Sequence, residues 1–199
     1  MRAADGAIEG VKIVDGDVQL TVIGDVDPLG LCGSGLVDAV AELVTAGILD
    51  HSGRFVLGSS DRLGKIGEEN VFHLTPDVFL SQRDVRELQF AKASIATGWN
   101  LLCRDLGIAP EEIAQVLLAG SFGSYLSAAS AVKIGLVPKL PLTRIVSAGN
   151  VAGEGAKIVA LSVQERAAAA AIVEEVEYVE LSGRADFNDL FVDQLAFPV

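Results

Sequence analysis

Three glycine-rich stretches hold most of the residues in this chain whose types and spacing could do chemistry. The first is Val116-Leu117-Leu118-Ala119-Gly120-Ser121-Phe122-Gly123. A short apolar run that stops at glycine reads as a buried strand. The helical pattern from about Ser127 to Ile134 makes the whole a strand, a glycine turn and a helix start. Glycine permits φ > 0 and lets the backbone approach a ligand closely. The free N–H groups of a helix start favour an anion or the polar edge of a ligand. A plain strand-to-helix turn uses glycine for the same steric reason, so this stretch alone leaves both readings open. The second stretch is Gly30-Leu31-Cys32-Gly33-Ser34-Gly35, ahead of a helix with Leu36, Val40, Leu43 and Val44 on its apolar face and Gly47 at its end. Ser34 either caps that helix or contacts a ligand. The third follows a strand at Arg144 to Ser147 and reads Ala148-Gly149-Asn150-Val151-Ala152-Gly153-Glu154-Gly155-Ala156. Gly149 and Asn150 stand at the strand end, where ligands gather in α/β sheets. Gly153 and Gly155 are expected to let their helix pack closely on a neighbour.

A fourth feature lies on the longest predicted helix. It opens at a capping box, Ser81-Gln82-Arg83-Asp84, runs to about Leu106 and is closed by Gly107. Val85, Leu88, Ile95, Trp99, Leu102 and Leu106 form its apolar stripe. Lys92 lies roughly 40° from the centre of that stripe, and Gln89 lies one turn earlier at its edge. Either Lys92 buries its stem and keeps its ammonium in water, or Gln89 and Lys92 face a polar ligand held between this helix and another element. His51 and His73 have no carboxylate or cysteine at metal-ligand spacing, so no metal site is expected. Cys32 and Cys103 are the two cysteines, too few for a four-thiolate iron–sulfur cluster.

The elements that position these residues read as α/β. The chain has 199 residues, a net charge of −12 and half its residues hydrophobic, enough for one domain with a real core. The acidic balance argues against nucleic acid, and no apolar run is long enough to span a bilayer. Met1-Arg2-Ala3 is not followed by a signal core, so a cytoplasmic location with free thiols is expected. Val11–Val14 and Val18–Ile23 flank Asp15-Gly16 as a hairpin. His51–Asn70 is an irregular excursion with a candidate strand at Arg54–Leu57, and Val71–Leu74 is a further strand. Pro110-Glu111-Glu112 signals a helix start. An alanine-rich helix at Ser162–Ala171 precedes an alternating strand at Val176–Leu181. The last helix, Asp186–Leu195, turns Phe187, Leu190, Phe191 and Leu195 inward, and an apolar tail, Ala196-Phe197-Pro198-Val199, is expected to dock on the domain or on a partner.

This order of hairpin, glycine entry, Gln89-x-x-Lys92 helix, Gly-Ser-Phe-Gly and Gly-Asn-x-x-Gly is similar to the second half of the nucleotide-binding domain in the sugar kinase, heat-shock chaperone and actin superfamily. More narrowly, six stretches resemble the C-terminal region of the reductive activators of corrinoid proteins. They are Gly30 to Leu43, Gln82 to Ala93, Leu118 to Gly123, Ile134 to Pro138, Gly149 to Ala156 and Glu177 to Leu181. The resemblance implies a ribonuclease-H-like, actin-like ATPase fold of three-layer α/β/α type, of which residues 1–199 are the second half. It implies ATP or ADP with Mg²⁺ as cofactor, and a corrinoid (cobalamin) protein or corrinoid methyltransferase as partner, with a homodimer allowed. By position, Gly120, Ser121, Phe122 and Gly123 match the adenosine motif, Gln89 and Lys92 the helix that flanks adenosine, and Gly33 and Ser34 a turn near ribose and phosphates. The family's N-terminal [2Fe–2S] domain and the strands that clamp phosphates and Mg²⁺ have no counterpart among these residues, and no catalytic acid or base is nominated. A non-catalytic dimerisation or docking module is the alternative, and a small-molecule kinase of the same fold a third.

Overall fold

The computed structural model describes residues 1–181 and 183–198. Strands β1 (Ala7–Val14) and β2 (Asp17–Val22) form the expected antiparallel hairpin. Asp15 and Gly16 turn it with φ of 53° and 86°; a two-residue loop needs both values positive, which Asp-Gly tolerates. On its other edge β1 pairs in parallel with the short β3 (Gly30–Leu31). Helix α1 (Gly33–Thr45) then folds back onto β1. Gly35 sets how close it comes, because a Cβ there would overlap the carbonyl oxygen of Ile8.

A second sheet follows. β4 (Leu63–Ile66) pairs antiparallel with β5 (Glu69–His73), and β5 with β6 (Phe79–Ser81). β4 is absent from the sequence reading because Leu-Gly-Lys-Ile has a glycine inside it and too short an alternation. The strand expected at Arg54–Leu57 reduces to one bridge between Leu49 and Phe55.

Helix α2 (Gln82–Leu106) starts at the expected capping box. Ser81 Oγ accepts from the Asp84 N–H at 3.1 Å, and the Asp84 carboxylate accepts from the Ser81 N–H at 2.9 Å. Its inward face departs from the predicted stripe. Val85, Leu88, Gln89, Lys92, Ala93, Ala96, Thr97, Leu101 and Cys103 are buried, whereas Ile95 and Leu106 are 52 % and 71 % exposed. Val85 and Leu88 of the predicted stripe do point inward, but beyond them the small residues Ala93, Ala96 and Thr97 turn inward with Leu101, and Ile95, Leu102 and Leu106 stay outside.

Beyond α2, Pro110–Glu112 is a single 3-10 turn rather than a longer helix start. β7 (Val116–Ala119) and β8 (Ile145–Gly149) pair in parallel. Helix α3 (Gly120–Tyr125) begins where β7 stops, and α4 (Ala128–Lys133) is capped by Ser127. Helices α5 (Val151–Leu161), α6 (Val163–Glu175) and α7 (Phe187–Asp193) complete the chain. Val176–Leu181, expected as a strand, joins no ladder among the described residues, and its Val176 and Tyr178 are exposed. The core gathers β1, α1, β5, β6, α2 and the segment 134–145, with Phe197 in it. Neither α5 nor α6 buries a residue, and Gly155 faces open space instead of a packed neighbour.

The α1–β1 contact generates a stability prediction. Gly35→Ala forces α1 off β1 and lowers stability by about 1–3 kcal/mol, the cost of overpacking a well-filled core. Urea unfolding of the two proteins checks this; unchanged midpoints would mean that α1 does not rest on the Ile8 carbonyl.

Candidate functional site

The three glycine entries come together. Ala119 and Gly149 are register partners in the β7–β8 ladder, so the turns at Gly120 and Gly149 leave the sheet side by side at its carboxyl end. Both glycines have positive φ, 84° and 68°, and a Cβ built on either meets nothing within 4 Å. They face open space. Gly123 is different: a Cβ there would lie 2.7 Å from the Leu118 carbonyl carbon. It is glycine because α3 turns back over the end of β7. Asn150 caps α5 by accepting from the Gly153 N–H at 3.1 Å, and its folded-back side chain is what a Cβ on Gly153 would strike. That explains Gly153 by capping and not by helix packing.

Phe122 links the first stretch to the second. Its ring lies against Gly33, where a Cβ would come 2.8 Å from a ring carbon. Phe122 is half exposed and Tyr125, one turn on, is more so. With Arg2 and the start of α1 they line a largely apolar cavity of about 290 Å³, near the lower limit for a ligand pocket. Sequence reasoning missed Arg2 and Tyr125; the i, i+3 spacing of Phe122 and Tyr125 on α3 was the available signal. Ser34 does not cap α1. The cap position is Cys32, which gives no side-chain cap bond, and the buried Ser34 hydroxyl lies 3.3 Å from Cys32 Sγ. The side chain of Ser121 lies outside the described residues.

Gln89 and Lys92 are engaged elsewhere. Both are almost fully buried, at 2 % and 1 % exposure. The Gln89 amide donates to the carbonyls of Ser52 at 3.1 Å and Leu195 at 2.8 Å, and its oxygen accepts from Arg86 at 2.7 Å. Lys92 Nζ donates to the Ala196 carbonyl at 2.5 Å and lies 5.5 Å from the centre of the Phe197 ring. So Lys92 does not snorkel: the apolar tail docks on the domain and covers it. Burial pushes its ammonium down to a pKa of about 8 from an ordinary 10.5, because a charge is costly away from water.

Asp38 on α1 was also missed. Its carboxyl is pushed up by burial, against hydrogen bonds from Ser130 and the Val11 backbone. It ties α1 to α4 and β1, a structural task.

The Lys92 environment has a signed pH consequence. The folded pKa is lowered, so the cost of burying the charge is complete below about pH 8 and fades as pH rises toward 10.5. The native chain should therefore gain stability relative to Lys92→Met between those limits. Chemical unfolding of both proteins at neutral pH and near the upper limit reads this, and a difference that stays flat would mean Lys92 keeps its hydration.

The chain as a whole has counterparts in known proteins. The family model described as the C-terminal domain of RACo, the ASKHA domain, matches residues 1–199. The corrinoid activation enzyme RamQ of Eubacterium limosum is 34 % identical over 214 residues, covering 99 % of this chain and 36 % of that protein. A solved reductive activator for corrinoid, iron–sulfur protein superposes with a TM-score of 0.91 at 33 % identity, over 100 % of this chain and 33 % of that one. The chain thus spans about a third of the length of the relatives it matches. Among the described residues no helix is long and apolar enough to cross a membrane. With an actin-like α/β fold and a match along its whole length, the chain belongs to the family of the C-terminal, ASKHA domain of RACo.

Proposed function

We propose that this chain carries the adenosine side of an ATP site that serves the reductive activation of a corrinoid protein. The observation that carries the reading is the side-by-side placement of Gly120 and Gly149. Both have positive φ and open space before them, at the carboxyl end of a parallel strand pair. That is where an α/β sheet presents a ligand, and a Cβ-free backbone admits it closely. The exposed Phe122 ring, beside Gly33, supplies an apolar wall for a base. Arg2 adds a cation at the rim of the same cavity, suited to a phosphate oxygen. The relatives' names support a corrinoid protein as the partner. Bound ATP with Mg²⁺ would supply the free energy of its hydrolysis to that partner's reactivation. In this reading the residues here bind and orient adenosine, while the phosphate clamp and magnesium ligands come from other parts of a longer activator. Among the described residues no three metal-ligating side chains gather.

Calorimetric titration of ADP, with and without Mg²⁺, tests the reading. The native chain should bind in the micromolar to low millimolar range. Gly120→Val, which puts a branched side chain at φ 84° across the opening, should weaken binding by at least about tenfold, measured on protein that unfolding shows to be folded, with stability lowered by about 1–3 kcal/mol through the backbone strain. Equal affinity in the two proteins would remove Gly120 from the site.

A second reading is favoured by α5 and α6. Leu161 and Val163 are 89 % and 81 % exposed, and Ile158, Ile172 and Val173 are more than half exposed. Large exposed apolar patches mark interaction surfaces. A dimerisation or corrinoid-protein docking module that needs no nucleotide turnover would use this face. Sedimentation of the native chain and of Leu161→Glu separates the readings. A dimer that the substitution dissolves supports the module, and a monomer in both cases argues against self-association.

A further inference from the structure

The end of α4 and the chain that leaves it build a cavity that neither reading above uses. Helix α4 stops at Gly135, whose φ of 75° lies in the left-handed region. The N–H groups of Gly135 and Leu136 close the last turn onto the carbonyls of Val132 and Ala131. The chain then meets α2, where the Trp99 indole N–H donates to the Leu136 carbonyl at 3.3 Å. That bond fixes how the partly buried ring lies. From another side Pro198 approaches Gly135 so closely that a Cβ there would stand 2.9 Å from the proline Cγ. Glycine is therefore needed at 135 twice, for the turn and for the seat of Pro198.

Between these parts lies a cavity of about 350 Å³, inside the range of about 300–1,000 Å³ in which small molecules bind. Trp99, Val132, Val137, Pro138 and Pro198 give it apolar walls, and Lys133, Lys139 and Gln194 give it polar ones. No aspartate or glutamate lines it, although the chain carries 27 acidic residues against 15 basic ones. Both lysines are exposed, and among the described residues neither has a carboxylate partner. Two cations beside apolar walls set a local field opposite in sign to the charge of the whole chain. An apolar body gains by leaving water between Trp99 and the prolines, and a negative charge at its end gains from the two ammonium groups. A bare phosphate would leave the walls unused, and a neutral apolar molecule would leave the lysines unused.

We infer that this cavity binds a small organic anion, an apolar ring on a short carboxylate arm, with the ring against Trp99 and the carboxylate at Lys133 and Lys139. Such a ligand joins α2, α4 and the C-terminal segment. None of Gly120, Phe122 and Gly149 lines the cavity, so the inference stands apart from the nucleotide reading.

Trp99 is the one tryptophan of the chain, so its fluorescence reports the site directly. Hydrocinnamate and its uncharged counterpart, hydrocinnamyl alcohol, are titrated into the native chain. The acid should change the Trp99 emission saturably, with a dissociation constant of about 1 mM or below. The alcohol should bind at least about fivefold more weakly, the scale of a charge pair near the surface. Lys133→Gln combined with Lys139→Gln should bring the acid down to the level of the alcohol and leave the alcohol unchanged; both positions are exposed, so the fold tolerates the pair. Added ADP should not displace the acid. No saturable change with the acid, equal binding of acid and alcohol, or a preference that survives in the double variant would each overturn the inference. Displacement by ADP would also overturn it, by making the cavity part of a nucleotide site.

Discussion

The contact on which the rest of this structure depends is the seating of α1 on β1 at Gly35. A helix normally keeps a side chain's width from a strand, and here the missing Cβ lets it settle onto the Ile8 carbonyl. Val37, Val40 and Leu43 follow Gly35 into the core and meet Ile8 and Val11. Gly33 is fixed at the same time, because it lies two residues earlier at the helix start. Its position decides where the Phe122 ring can lie, and through Phe122 the turn after β7 is tied to the turn before α1. One steric allowance thus propagates from the core to the candidate site.

On the far side of α2 the fold is closed by a different kind of interaction. Gln89 and Lys92 occupy positions where an apolar helix face would ordinarily place leucine or isoleucine. Instead of a greasy contact they make three hydrogen bonds to carbonyls of Ser52, Leu195 and Ala196. Such bonds are directional, so they fix the path of the last residues in a way that apolar packing would not. Phe197 then adds the apolar anchor that hydrogen bonds to carbonyls alone would not supply.

The β7–β8 end of the molecule follows another rule. Parallel strands are ordinarily covered on both faces. Here Leu117 is 59 % exposed and Val146 is 37 % exposed, and the helices that follow carry exposed valine, leucine and isoleucine throughout. The apolar content of α5 and α6 therefore stabilises little among the described residues. Both proposed readings make use of this: a nucleotide domain packs a further layer there, and a docking module packs a partner.

Local chemistry was legible in the sequence wherever one short segment contains its own cause. The Asp15-Gly16 turn, the Ser81–Asp84 capping box, the Gly107 stop, the helix starts at Ser127 and Ser162 and the glycine-ended strand before Gly120 are all fixed by neighbours within a few residues, and the order of the hairpin, the glycine entries and the Gln89-x-x-Lys92 helix was enough to point to the fold family. What lay beyond it was anything set by a distant segment. Periodicity placed Val85 and Leu88 correctly, but beyond them the inward face of α2 could not be read from it, because Ala93 and Ala96 are buried by what approaches them and not by their own hydrophobicity. Val176–Leu181 has the alternation of a strand but no partner in a ladder among the described residues, and β4 is a strand because β5 lies beside it. At the site, the sequence alone determined that the glycine turns exist and that Lys92 needs a reason. Only the tertiary structure decided that Gly120 and Gly149 open side by side, that Phe122 covers Gly33, and that the partners of Lys92 and Gln89 lie more than a hundred residues away in the tail. Hydrogen bonds and close contacts of that range depend on where the chain returns in space, and nothing in the local pattern of residues records it.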